Sequence, residues 1–171
     1  HIALFSLFRQ TGIHSIIIGV ILGLVLTVFL HSSSATTAVL LTMAHTGVVG
    51  WEFSAAVILG SNVGSTVDAV LASIGTKLNA RRAAAVHVLF NVAGSVFTLA
   101  FFTPFLSLVD LICPSSSLMT KIAVFHTLFN VINTLVAIPF VNQIAKFVCR
   151  LIKPGENEEP ISHPDGLDRF F

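Results

Sequence analysis

An almost unbroken run of Ile, Val and Leu extends from Ile13 to Leu30, punctuated by Gly19, Gly23 and Thr27 at spacings of four. Eighteen residues at ~1.5 Å each reach ~27 Å, close to the ~30 Å hydrocarbon thickness of a bilayer. Small residues four apart predict a face on which a second helix approaches closely. The run stops at a seven-residue polar stretch, His31-Ser32-Ser33-Ser34-Ala35-Thr36-Thr37. Helical character resumes over Ala35 to Ala44 and ends at His45-Thr46-Gly47-Val48-Val49-Gly50. That second piece is too short to cross a bilayer and reads as a re-entrant half-helix. The pattern over Ile13 to His45 therefore predicts a hairpin with a long arm, a polar tip and a short arm.

A second polar interruption follows. Trp51 to Leu59 is apolar, Gly60-Ser61-Asn62-Val63-Gly64-Ser65 breaks it, and Thr66 to Ile74 continues to Gly75. These pieces predict one crossing with a broken middle, tolerated at membrane depth where protein or a watery cavity satisfies the backbone. Beyond the basic loop at Lys77, Arg81 and Arg82, Ala83 to Phe102 reads as a long apolar helix, slowed by Pro104. A turn is expected at Cys113-Pro114-Ser115-Ser116-Ser117, a last span over Ile122 to Val141, and an amphipathic juxtamembrane stretch over Ile144 to Ile152. Two helices share the pattern A-x-x-H-x-L-F-N-V, at Ala84 to Val92 and Ala123 to Val131. In each, His and Asn lie one turn apart on one face.

Composition agrees with the hydropathy pattern. The chain is 54% hydrophobic and 10% charged, with a mean hydropathy of +0.92; soluble domains carry about 25% charged residues. The expected class is an all-α, polytopic helical membrane protein with a re-entrant hairpin and a broken transmembrane helix. A net charge of +1 gives no case for nucleic-acid binding. The basic clusters at Lys77–Arg82 and Lys146–Lys153 are separated by two spans and so fall on one side, assigned to the cytoplasm. Arg9 then lies outside, against the rule. The membrane domain is expected over 1–153, with a polar cytoplasmic tail over 154–171, and both ends read as cut from something longer.

The polar breaks carry the candidate chemistry. With Ser34 as N-cap, unpaired N–H groups near Thr36 and Thr37 and the hydroxyls of Ser32, Ser33, Ser34 and Thr36 make an anion site without fixed charge. The competing reading is a capped kink. In the second break, Asn62, Ser65 and Thr66 offer oxygens of the kind with which broken helices hold sodium; glycine-driven packing is the alternative, and it accounts for Gly60 and Gly64 only. Asp68, in apolar surroundings, is a site candidate or the partner of Lys77, Arg81 or Arg82. His31 sits at the tip. His87/Asn91 and His126/Asn130 read as hydrogen-bond glue between helices or as ligands. Neither a GxSxG elbow nor an HExxH motif occurs, so no enzyme and no cofactor are expected.

His31 to Thr37 resembles the Q-S-S-S-A-T motif of the sodium/phosphate cotransporter family. Leu59-Gly60-Ser61-Asn62-Val63-Gly64-Ser65-Thr66-Val67 resembles its L-G-A-N-I-G-T-T-V motif. The likeness extends over roughly Val25 to Phe140 and includes Arg81-Arg82-Ala83-Ala84 and both His/Asn helices. The resemblance implies sodium-coupled transport of inorganic phosphate between two inverted repeats, by alternating access. Phosphate then belongs to Ser32, Ser33, Ser34 and Thr36, and sodium, or the lining of the site, to His31, Asn62, Ser65, Thr66 and Asp68. The chain has one set of motifs, most like the second repeat. It implies as partners the bilayer, phosphate, sodium, and an N-terminal repeat or a second copy as homodimer. It further implies a bacterial inner membrane and a tail leading into a truncated PhoU-like domain. A half-module inactive alone, or a carrier of sulfate or a carboxylate, are the alternatives. His31 replaces the family glutamine, and Asp68 stands where a small or hydroxyl residue is common.

Overall fold

The computed structural model of the chain describes residues 12–155. Arg9 and nearly all of the 154–171 tail, with its PhoU-like lead-in, lie outside the described residues. Helix α1 spans Ile13–Leu30, α2 Ser33–His45, α3 Trp51–Gly64, α4 Thr66–Ser73, α5 Leu78–Ala100, α6 Phe102–Ile112, α7 Leu118–Ala137 and α8 Val141–Leu151, the last two joined by a short 3-10 turn at Ile138–Phe140. Four segments are long and apolar enough to cross a membrane: Ile13–Leu30, Trp51–Ser73, Leu78–Ala100 and Leu118–Leu151. Their outer faces carry exposed Ile17, Ile21, Val96, Phe97, Leu135 and Val136, a surface suited to hydrocarbon rather than water. The chain is an integral membrane protein.

Helix α3 is the centre of the fold. Every residue from Phe53 to Asn62 is buried, as expected of a helix apolar on all sides and surrounded by others. Against it α1 buries Ser15, Gly19, Gly23 and Thr27, the stripe spaced by four. A Cβ on Gly23 would overlap the Val57 carbonyl, and one on Gly60 would overlap that of Val20. Gly19 lies on Phe53 and Ala56, while Gly64 lies on Leu24 and Thr27. Residue numbers rise together along both helices, so α1 and α3 run parallel, with α2 returning between them.

The aromatic end of the core joins α3, α6 and α7. Phe125 meets Trp51 edge-on at 5.8 Å and Phe105 at 5.1 Å between ring centroids, a favourable geometry for π systems. Phe125 and Phe129 of α7 and Val109 of α6 are fully buried. Helix α6 has no counterpart in the sequence expectation. Pro104 falls within its first turn, where a missing N–H costs nothing. Hence Pro104 starts a helix rather than slowing one.

The expected break at Gly60–Ser65 is narrower than predicted. Helix α3 continues through Gly60 to Gly64, and the interruption is confined to Ser65. The glycines serve close packing, and the ladder stays intact across them because parallel contact with α1 needs a regular helix. Ser65 and Thr66 donate to the carbonyls of Asn62 and Val63, both at 2.7 Å, bonds of a type that bends helices without unwinding them.

Gly60→Ala is expected to destabilise the fold by about 1–3 kcal/mol, because the added methyl meets backbone that cannot turn away. Thermal unfolding in detergent measures this. Ser107→Ala, on the exposed face of α6, should change stability by less than about 0.5 kcal/mol.

Candidate functional site

Helix α1 ends at His31, whose φ of 50° places it in the left-handed region. That turn allows the chain to reverse in two residues. Ser32, not Ser34, is the N-cap of α2: its Oγ accepts the Ala35 N–H at 3.1 Å, and its carbonyl accepts the Thr36 N–H at 3.1 Å. The unpaired N–H groups of the first turn are therefore those of Ser33 and Ser34, three residues earlier than the sequence suggested. Extended backbone at Ser32 is the reason, since a cap must stand outside the helix it closes.

Thr36 does not present its hydroxyl to a ligand. It is fully buried, and its Oγ1 donates to the Ser32 carbonyl at 3.2 Å. Thr27 Oγ1 lies 2.8 Å from Thr36 Oγ1 and 2.8 Å from Ser61 Oγ. Thr27 and Ser61 are also buried. These three hydroxyls bind α1, α2 and α3 into one layer. Since Thr36 spends its proton on Ser32, Thr27 donates to Thr36 and the Ser61 proton closes the remaining contact. Sequence reasoning treated Thr27 as packing alone; its place in the spaced-by-four stripe opposite Ser61 was the available signal.

The layer fixes the depth of both polar breaks. One turn beyond it toward the tip, α2 presents Ser33 and Ser34. One turn beyond it in the same direction, the junction of α3 and α4 presents Ser65 and Thr66, because α2 and α3 are antiparallel. Among the described residues the Ser33 and Ser34 hydroxyls have no hydrogen-bond partner, and Ser34 is exposed. The second break is different in kind. Asn62 Nδ2 donates to the Ile58 carbonyl at 2.9 Å, and Ser65 and Thr66 spend their protons on their own helix. Ser65 and Thr66 have only oxygen lone pairs left to offer, while Asn62 keeps its Oδ1 and one amide N–H. The tip is thus rich in donors, suited to an anion, while the second break is rich in acceptors, suited to a cation.

Asp68 pairs with His31, Nδ1 to Oδ1 at 2.5 Å, and not with Lys77, Arg81 or Arg82. The two side chains are 63% and 42% exposed, so Asp68 is not the desolvated carboxylate its apolar neighbours suggested. Helix α4 turns it toward the hairpin tip, away from the basic loop. The His/Asn repeats also differ from expectation. Asn91 donates to the His87 carbonyl at 3.1 Å and Asn130 to the His126 carbonyl at 2.9 Å. Both amides bond within their own helix rather than across helices. Among the described residues there is no group of three or more His, Cys, Asp or Glu able to hold a metal ion.

Four membrane-length apolar segments, one of them containing the buried central helix, with facing donor-rich and acceptor-rich polar breaks, define a polytopic membrane protein. The sequence profile of the Na+/Pi-cotransporter family matches residues 6–112, and the chain belongs to that family. It is 35% identical over 132 residues to "Uncharacterized protein YqeW" of Bacillus subtilis, covering 77% of this chain and 42% of that one. It is 28% identical over 154 residues to "Putative inorganic phosphate export protein YjbB" of Salmonella typhimurium, covering 90% of this chain and 28% of that one. Over 81 residues it is 37% identical to "Sodium-dependent phosphate transport protein 2C" of Rattus norvegicus, covering 45% of this chain and 14% of that one. The chain thus spans less than half the length of these relatives. No solved structure matches it.

Thr27→Val keeps the side-chain shape and removes the oxygen that joins the layer. It is expected to lower stability by about 1–2 kcal/mol, with Thr27→Ser retaining most of it. Thermal melting of the three proteins in the same detergent provides the comparison.

Proposed function

We propose that the chain supplies one repeat of a sodium-coupled phosphate transporter. The hydroxyl layer of Thr27, Thr36 and Ser61 carries this reading. It holds a donor-rich serine tip and an acceptor-rich break at one depth, as a paired anion and cation require. Phosphate is assigned to Ser33, Ser34 and the backbone N–H groups at the start of α2, where the helix dipole also favours an anion. Ser32 orients the turn through its cap, and Thr36 holds it from behind. Sodium is assigned to the oxygens of Asn62, Ser65 and Thr66, where it offsets phosphate charge. Family membership and the printed names of the phosphate-transporting relatives support the solute.

The hairpin of α1 and α2 is read as re-entrant, since 13 residues of α2 span only ~20 Å. The tip is exposed, and the chain covers a minority of its relatives' length. A second repeat, from an N-terminal half or from a homodimer partner, closes the site and permits alternating access. Charge bias places the basic ends of α5 and α8 on the cytoplasmic side of a bacterial inner membrane.

In proteoliposomes holding the chain, alone and together with a partnering repeat, an inward sodium gradient should drive uptake of labelled phosphate. Ser33→Ala with Ser34→Ala should reduce uptake at least tenfold while leaving the melting temperature unchanged. Uptake that ignores sodium, or that sulfate or a dicarboxylate suppresses better than phosphate, contradicts the assignment. Uptake by the chain alone distinguishes a homodimer from an inactive half-module. One relative's name specifies export, so the reversed gradient is the matching control for direction.

His31→Gln removes the imidazole that meets Asp68 beside the hairpin tip and should lower phosphate uptake in the same proteoliposomes. Unchanged uptake would show that His31 takes no part.

A further inference from the structure

We infer that α8 is a hinged strap, latched to α5 by Arg82, which docks and undocks as a unit while the rest of the bundle stays in place. The hinge is the 3-10 turn Ile138–Phe140, none of whose residues is buried. Pro139 has no N–H to give to the Leu135 carbonyl, so the helical ladder is interrupted between α7 and α8. Val148 is the one buried residue of α8. Ile144, Ala145 and Ile152 are partly buried on the same side, while Phe147 and Leu151 stand exposed on the adjacent flank.

The firm attachment lies at the far end. Arg82 Nε, in the second turn of α5, donates to the Ile152 carbonyl at 3.1 Å. Ile152 is the C-cap of α8, where carbonyls lack helical partners and the dipole is negative. A guanidinium there satisfies a carbonyl and meets that field. Between hinge and latch the packing is incomplete. Phe140 and Ile144 border an open groove of about 400 Å³ whose other wall includes Leu89, Phe90 and Phe97 of α5. Asn133, 7% exposed, lines the same groove, and its buried Nδ2 has no hydrogen-bond partner. Neither an open groove nor an unpaired buried donor is expected beneath a helix fixed by tight packing. In a bilayer the apolar side of α8 also loses little by leaving the protein, because lipid is as apolar as the surface it leaves. The directional bond from Arg82 then decides how much of α8 is docked.

Amide hydrogen exchange of the full chain in detergent, read peptide by peptide, tests this. A free helix of 11 residues is marginal by itself, so undocking shows as faster exchange along α8. Arg82→Gln should accelerate exchange over Val141–Leu151 at least fivefold, with exchange in α3 and α7 and the melting temperature unchanged. Arg82→Lys keeps a cationic donor and should recover most of the protection. Val148→Ala loosens the docked face without touching the latch and should give the same local acceleration. Arg150→Gln, on the exposed side, should leave α8 as it is. Unchanged exchange in Arg82→Gln overturns the proposal, as does an acceleration shared equally by α3 and α7, or one that Arg150→Gln reproduces. Exchange is read without transport, so the outcome is independent of the phosphate reading.

Discussion

Contact between the backbones of α1 and α3 depends on Gly23 and Gly60, each lying where any side chain would overlap the other helix's carbonyl. Without water to drive helices together, membrane proteins rely on such close approach and the dispersion it brings. Here it does more than bind two helices. It brings the backbones close enough for Thr27 to reach Ser61 and, across the turn, Thr36. The hairpin tip inherits its depth and orientation from that layer.

The two polar breaks held on this frame differ in how each side chain spends its protons. Ser65 and Thr66 give theirs to their own helix and so keep only lone pairs. Ser33 and Ser34 keep theirs, beside unpaired N–H groups at the positive end of α2. Donors and acceptors are thereby offered side by side without fixed charge on the groups that offer them. The His31–Asp68 pair lies next to both, partly in solvent, and links the hairpin to α4.

Much of the fold was legible. The limits of α1 follow from its apolar run, and the stripe Gly19, Gly23, Thr27 marked its packed face. The polar tip at His31 to Thr37 was visible because a run of polar and small residues interrupts an otherwise apolar stretch. Helix α6 was not legible, since Pro104 reads as a stop unless its place in the first turn is known. Gly60 and Gly64 were ambiguous for a related reason. A glycine permits both an unwound backbone and a close-packed one, and only the neighbour chooses. The partner of Asp68 was not legible: the sequence offers a place in the site or the nearest cations, and α4 turns it to His31, far away along the chain.

By itself the sequence determined what is local: membrane-length segments, the residues able to offer donors or oxygens, and motifs shared with the cotransporter family. Periodicity and composition suffice for these, because each depends on residues within a few turns. The tertiary structure decided which groups remain available. Thr36 became support and Ser33 and Ser34 became the open tip because Ser32 caps the helix. The broken crossing became a nearly continuous helix because α1 lies against its glycines. Hydrogen-bond partners across helices are set by packing, and no pattern along a single chain encodes which of two equivalent hydroxyls will meet a neighbour.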